Sequence, residues 1–238
     1  MNVFVAGATG VIGRPLLKLL RGAGHTVTGT TRSASKIAEI EALGAHGIVA
    51  DAFDAEGLRR AVAAARPDIV IHQLTDLPDV GDPAKMAEVR EKNSRLRIEG
   101  TRNLMAAASA ASVRRVVAQS IAFIYAPGQK PYREGDPLDS SEAQRMTMSG
   151  VVALEQAVLN TPGIDGIVLR YGRLYGPGTW FAAPSGGGPL STHAAAHAAL
   201  LAVSRGAPGV YNVAEDDGEF SIERARKELG FDPAFRMP

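Results

Sequence analysis

A short apolar strand that runs straight into Gly7-Ala8-Thr9-Gly10-Val11-Ile12-Gly13 constrains this chain more than any other feature. Glycines at this spacing let the backbone turn tightly and lie against a pyrophosphate. The helix that follows aims free N–H groups and its positive dipole end at the same charge. The loop falls between an expected strand (Val3–Ala6) and an expected helix (Val11 to Arg21), which is the setting the motif requires. The alternative reading is a tight turn with no ligand.

The rest of the chain continues the alternation that the loop opens. Apolar runs at His25–Thr31, Gly47–Ala50, Ile69–Leu74 and Arg115–Ser120 read as strands. Helical periodicity separates them at Ala34–Leu43, Ala55–Ala65 and a long stretch ending in Ile98–Ala111. This spacing predicts βαβ units, a parallel sheet and helices on both faces. The second half is less regular. A helix is expected over Ser140–Leu159, a strand over Gly166–Tyr171 and a turn at Tyr175-Gly176-Pro177-Gly178. Pro184–Pro189 reads as a flexible joint with no packing content, before an alanine-rich helix (His193–Ser204), a strand (Gly209–Val213) and a helix near Ile222–Leu229. The expected class is therefore α/β: a Rossmann doubly wound parallel sheet, one domain over residues 1–238. Residues from about 173 to 238 form its small, reduced C-terminal substrate-binding region.

Composition narrows the partners. The net charge is +1, with 26 basic and 25 acidic residues interspersed, so a nucleic-acid surface is not expected. No apolar run reaches the roughly 20 residues that span a bilayer. Met1-Asn2 leads directly into a strand, without the pattern of a signal peptide. The absence of cysteine excludes disulfides and thiolate metal sites and is compatible with a reducing cytoplasm, the expected address.

The cofactor can be read further. About twenty residues beyond the glycine loop, an acid would accept both ribose hydroxyls of NAD. Here the second strand ends in Thr30-Thr31-Arg32-Ser33, with Lys36 a turn later. A guanidinium suits a phosphate through paired, charge-assisted hydrogen bonds. NADPH is therefore expected over NADH, with Arg32 on the 2′-phosphate; the alternative is a solvated loop arginine.

These residues, with several later ones, resemble the extended short-chain dehydrogenase/reductase family, the group of nucleotide-sugar epimerases and dehydratases. Gly7-x-x-Gly10-x-x-Gly13 is similar to its glycine loop, and Asp51-Ala52 to its adenine-contacting pair. Ile71-His72-Gln73-Leu74-Thr75 is similar to the stretch beneath the cofactor. Asn93, Gly100-Thr101 and Asn103-Leu104 match its central helix, and Leu169-Arg170-Tyr171 with Tyr175-Gly176-Pro177 match the segment that closes on the nicotinamide. The resemblance covers roughly residues 1–178 and returns near Gly209–Ala214. It implies cofactor contacts from Gly7, Thr9, Gly10, Val11, Ile12 and Gly13, from Asp51, Ala52, Leu74 and Thr75, and from Gln119, Tyr171 and Leu174.

The departures from the family carry the functional message. The resemblance places a Ser or Thr four residues before Tyr125, where Ile121 stands. It places a Tyr and a Lys eight and four residues before Glu155, where Thr147 and Val151 stand. In the family, lysine and cofactor charge lower the tyrosine pKa so that it can shuttle a proton. A threonine beside a valine is not poised in that way. Arg173 replaces the asparagine that nucleotide-sugar epimerases use, and the cap between Gly178 and His193 is short and glycine-rich, which suits a flat aromatic molecule.

Hydride transfer needs proximity and an electrophilic carbon, and the proton can come from elsewhere. The expected activity is an NADPH-dependent ketoreductase of an aromatic polyketide whose own phenol polarises the carbonyl. The chain resembles, in this respect, the atypical ketoreductases of angucyclinone pathways. Ile121, Phe123, Tyr125, Met148, Arg173, Trp180 and Phe181 are expected to line the acceptor site, and Ser120 and Thr147 are its remaining hydroxyls.

Other readings stand beside these. Ser120 can support the nicotinamide end, Thr147 can simply make room, and Trp180 can cap the core. Arg173 can form a structural ion pair. His193 and His197 have metal-compatible spacing but no accompanying acid, so no metal is expected. A rival function is a non-catalytic NADP(H)-sensing protein; an epimerase of nucleotide sugars would need the missing pair. A monomer or a homodimer through the helices near 93–111 and 140–160 is expected.

Overall fold

The computed structural model describes residues 1–77 and 85–237. Seven parallel strands form the central sheet: β1 (Asn2–Ala6), β2 (Thr26–Thr31), β3 (His46–Val49), β4 (Ile69–His72), β5 (Arg115–Ile121), β6 (Asp165–Tyr171) and β9 (Gly209–Val213). Their order is β3-β2-β1-β4-β5-β6-β9, with every pair parallel. The order reverses between β1 and β4, so the crevice at the carboxyl ends of those strands is where such a sheet takes a ligand. A small two-stranded sheet pairs β7 (Arg173–Tyr175) with β8 (Pro189–Ser191).

Each face of the sheet has its own core, because strand residues alternate sides. Val3, Val5, Val117, Ile167, Leu169 and Tyr171 pack with α1 (Gly13–Gly22), α2 (Ile37–Ala42) and α7 (Thr192–Ala202). Phe4, Ala6, Val116, Ala118 and Val168 pack with α3 (Ala55–Ala65), α5 (Thr101–Ala110) and α6 (Arg145–Leu159). The α/β doubly wound expectation holds. Strand and helix bounds fall within a few residues of those read from periodicity.

Three departures bear on the site. The long fourth helix is α4 (Met86–Arg95) joined to α5 by a π turn over Leu96–Gly100. The helix expected over Ala34–Leu43 divides into a 3-10 turn at Ala34–Lys36 and the short α2. The segment expected to be a joint without packing is partly structural. The Gly188 carbonyl accepts from the Arg173 amide, the Gly188 amide donates to Asp217, and Pro189–Ser191 is a buried strand. Glycine richness signalled a tight approach to Phe220 there rather than free chain.

Helices α4 and α6 cross with their backbones in contact. A Cβ on Gly150 would stand 2.8 Å from Ser94 Cα and 3.2 Å from its carbonyl oxygen, closer than packed atoms sit. The Ser94 hydroxyl adds a 2.9 Å hydrogen bond to the Met146 carbonyl. Gly150→Ala is expected to push α4 from α6 and to cost about 1–3 kcal/mol, as overpacking generally does. Urea unfolding of the two proteins measures it, and an unchanged midpoint would show that the crossing is not tight.

Candidate functional site

The glycine loop leaves β1 at the switch point. Gly7 has a positive φ of 93°, and a Cβ there would lie 2.6 Å from the Gln73 carbonyl oxygen. A Cβ on Gly13 would lie 2.2 Å from the Gly7 carbonyl oxygen. The loop therefore closes on itself and on the exit of β4 in a way only glycine permits. Its amides are arranged for an anion. Those of Val11, Ile12 and Gly13 find no acceptor among the described residues, and α1 begins without a side-chain cap or an acid in its first turn. Four unpaired N–H groups and a positive dipole end are typical of an uncapped helix start, and a pyrophosphate satisfies both.

Flanking elements complete this cradle. Ala52 is buried, and its carbonyl accepts from Asn103 of α5 at 2.9 Å, while Asp51 turns back to accept from the Phe53 amide. The stretch after β4 is fixed by His72. Its Nδ1 accepts from the Leu74 amide, leaving Nε2 to donate to Thr101 Oγ1 at 2.9 Å. Leu74 is partly buried and Thr75 is exposed beside it. A Cβ on Gly178 would approach Val11 Cγ1 to 3.1 Å, so the turn after Tyr175 reaches the glycine loop and brings the two halves of the sequence together. Leu174 packs against the core, partly buried, and Gln119 lies partly buried on β5.

Arg32 lies at the end of β2, exposed, with Nη2 3.0 Å from Asp76 Oδ1. This ion pair was not foreseen, because the two residues are far apart in sequence. An exposed pair of this kind is worth little, so the guanidinium is free to exchange its carboxylate for a phosphate.

Several expected site residues lie elsewhere. Ser120 is buried and donates to Glu155 Oε1 at 2.7 Å, so its proton is committed to the structure. Tyr125 does not stand at a mouth. It is buried, stacks on Tyr132 at 5.3 Å, donates to Asn212 Oδ1 at 2.6 Å and accepts from Arg170 Nη1 at 2.9 Å. Burial pushes its phenol up, against the pull of Arg170. Tyr171 points into the core as well, donating to the Ala195 carbonyl and accepting from Gln73, and burial raises its pKa far above the ordinary value.

At the centre of this network is a buried ion pair. Arg170 gives Glu155 two hydrogen bonds, Nε to Oε1 at 3.0 Å and Nη2 to Oε2 at 2.7 Å. Burial opposes the Arg170 charge, and the hydrogen bonds and charge of Glu155 outweigh it, holding the guanidinium above its usual range. Sequence reading used Glu155 only as a landmark; its i,i+4 relation to Val151 and its place opposite a strand arginine were the available signals.

Above that network the surroundings are apolar. Ile124, Met148 and Val151 form a small buried cluster of their own, with Ile121, Leu138 and Val152 packed against it. Ile121 and Val151, the positions where the resemblance places a hydroxyl and a lysine, are thus brought together as hydrocarbon. Thr147 is partly buried and its hydroxyl makes no hydrogen bond among the described residues. Outside the cluster, Arg173 lies over the Phe123 ring at 5.0 Å, and Phe123, Trp180 and Phe181 all expose their rings. His193 accepts from the Met237 amide and His197 stacks on Phe235, so each has a partner within the C-terminal region.

Comparison with known proteins agrees with this geometry. Residues 3–204 match the NAD dependent epimerase/dehydratase family. A 3-diazoavenalumate denitrifying reductase from a Streptomyces species is 41% identical over 240 residues, covering 91% of this chain and 77% of the relative. A 4-hydroxy-2-methyl-3-oxo-4-farnesyl-3,4-dihydroquinoline-1-oxide ketoreductase from Stigmatella aurantiaca is 29% identical, over 71% of this chain and 49% of that protein. The fold is that of UDP-glucose 4-epimerase from Thermotoga maritima, with a TM-score of 0.81 at 17% identity, covering 99% of this chain and 94% of that one. The chain belongs to the NAD dependent epimerase/dehydratase family. It is an NAD(P)-dependent oxidoreductase, and its cofactor is a nicotinamide dinucleotide.

Burial of His72 gives the site a pH signature. Desolvation, aided by the charge of Arg97, lowers its pKa from 6.5 to about 4. The native state therefore holds the ring neutral where the unfolded chain would protonate it. Stability should be unaffected by this group above pH 6.5 and should fall as pH drops from 6.5 toward 4. The loss should reach roughly 2–3 kcal/mol. Urea unfolding of the wild type and His72→Gln across that range reads it; parallel curves for the two proteins would show that His72 is not the cause.

Proposed function

We propose that this chain is an NADPH-dependent reductase that presents hydride to an aromatic acceptor and leaves the protonation to the acceptor or to water. The observation that supports it best is the hydrocarbon cluster of Ile121, Met148 and Val151 where family members are expected to hold their proton donor. In this reading Ile121, Thr147 and Val151 stand where the family would hold Ser, Tyr and Lys.

The bound nicotinamide would supply a hydride, two electrons with one hydrogen nucleus, to the acceptor carbon. The chain's residues do the rest by positioning. Val11, Ile12 and Gly13 hold the pyrophosphate through their free amides, and Arg32 holds the 2′-phosphate. The apolar cluster excludes water beside the acceptor, while Phe123, with Arg173 against it, offers a ring surface for a flat molecule. A ketone flanked by its own phenol needs no side-chain acid. The alkoxide formed on reduction takes the phenol's proton, and the phenolate is reprotonated by solvent. Residues from about 173 to 238 form the shortened cap of this site. The acceptor is a small aromatic ketone such as an angucyclinone, with the ketoreductase step of simocyclinone assembly as the closest such chemistry, and the reaction is cytoplasmic, in a monomer or homodimer.

A second reading, favoured by the relative named for a diazo compound and by the same lack of a donor, is an aryl diazonium acceptor. Hydride added to such a group gives an aryldiazene that loses dinitrogen and keeps the hydrogen on the ring. No proton is required at that step.

Loss of NADPH absorbance against hydroxyquinones, phenol-flanked aryl ketones and an ortho-hydroxyaryl diazonium salt, with NADH in parallel, decides between them. Turnover of the quinones or ketones supports the first reading; dinitrogen release with the diazonium salt alone supports the second. Binding of NADPH without oxidation of it by any acceptor would favour the cofactor-sensing alternative. Thr147→Val is expected to keep turnover within about threefold, since a threonine hydroxyl is a poor acid. Complete loss of turnover with NADPH still bound would sink protonation by the acceptor.

Arg32→Ala should raise the KM for NADPH at least about tenfold, the scale of one charge-assisted phosphate contact, and leave the KM for NADH near its wild-type value. An equal change for both cofactors would remove Arg32 from the 2′-phosphate.

A further inference from the structure

Among the described residues, one partly buried cation on the central helices has no hydrogen bond or ion pair. Arg97 belongs to the π turn at Leu96–Gly100, which packs against α6. It follows Ser94 by three residues, and Ser94 touches Gly150, next to Val151. Arg97 is thus on the stretch of helix that packs on α6 beside Val151. Its charge reaches His72 at the end of β4 and Glu155 one helical turn beyond Val151. Both carboxylate oxygens of Glu155 already accept from Arg170, and one also from Ser120. Arg97 is partly buried, yet it makes no hydrogen bond or ion pair among the described residues. Burial works against its charge and lowers its pKa to about 10, despite the pull of Glu155, so it stays protonated at neutral pH. A guanidinium in that position has five donors and no acceptor.

We propose that Arg97 is the anion-binding residue of the acceptor site, holding the phenolate oxygen of an aromatic acceptor with the fixed positive charge that position 151, a valine, does not provide. This rests on the aromatic-acceptor reading above and adds its electrostatics. An aromatic acceptor that protonates its own carbonyl is left as a phenolate. A preorganised cation at that oxygen stabilises the charge as it develops. A π turn is a frequent way of turning one side chain out of helical register toward a functional site.

The test separates charge recognition from folding and from hydride transfer. A dihydroxyanthraquinone, whose absorbance distinguishes phenol from phenolate, is titrated with pH on the NADP⁺-loaded protein, so that no reduction occurs. Facing groups besides Arg97 are His72, Glu155 and Arg170, and they are the same in all variants. On the wild type the bound dye should ionise about one pH unit or more below the free dye, as a carboxyl or phenol does beside an opposite charge. On Arg97→Gln the shift should vanish and the dye should bind roughly tenfold more weakly, the scale of a lost charge-assisted bond. Arg97→Lys should restore part of the shift, and NADPH affinity, followed by its fluorescence, should stay within about twofold in both variants on the scale of an untouched site. The proposal is overturned by an unshifted or unbound dye on the wild type, by an unchanged shift in Arg97→Gln, or by joint loss of dye and NADPH binding in both variants. A wild type that shifts the dye but never oxidises NADPH would retire the reductase reading and keep Arg97 as an anion site.

Discussion

The buried pair of Arg170 and Glu155 is the interaction on which the arrangement of the site depends. It ties α6 to β6, and through Ser120 to β5, and Arg170 continues to Tyr125, whose hydroxyl reaches Asn212 on β9. Three adjacent strands and one helix are thereby fixed at the carboxyl end of the sheet. Removing one partner of such a pair strands the other charge in a medium that cannot solvate it, a cost of about 3–5 kcal/mol. The pair is a weak source of net stability and a strong source of position. Its consequence is that the face of α6 carrying Val151 is held at one distance from Ile121, whatever chemistry happens above.

That fixed floor divides polar groups from apolar ones. Polar groups below the floor are satisfied by one another: the Ser120 proton goes to Glu155 and the Tyr125 proton to Asn212. Above it the contacts are hydrocarbon. A polar network that is complete leaves nothing to donate, and an apolar surface beside it keeps water away from the reacting carbon.

The fold was legible because its signals are local. The glycine loop, the period of the apolar runs and the strand-to-helix spacing each lie within a few residues, and Ala55–Ala65 is the same helix in sequence and structure. The place of the glycine turn at the reversal of strand order followed from the same local signals. What failed was the direction of side chains whose partners are distant. Tyr125 meets Asn212 across 87 residues and Tyr171 meets Gln73 across 98, and no motif records such pairs. A tyrosine at a strand end looks like a site residue until a partner for its hydroxyl is found in the core. The glycines near Gly188 misled in the opposite sense, since close approach to a neighbouring ring and true freedom leave the same mark in sequence.

The same asymmetry bears on the charges of the site. Cations that look functional in sequence sit on the rim: Arg32 is exposed and paired with Asp76, and Arg173 rests on Phe123. An exposed charge is screened by water and ions and serves recognition more than chemistry. In the interior, Arg170 is fully engaged by Glu155, and the partly buried Arg115 donates to the Ala202, Arg205 and Gly206 carbonyls. Arg97 alone combines partial burial with open hydrogen-bonding capacity among the described residues, in a helix distorted at that turn. Desolvating an arginine without giving it a partner is unfavourable for folding. The cost is offset when an anion arrives, and then the same low-dielectric surroundings strengthen the contact.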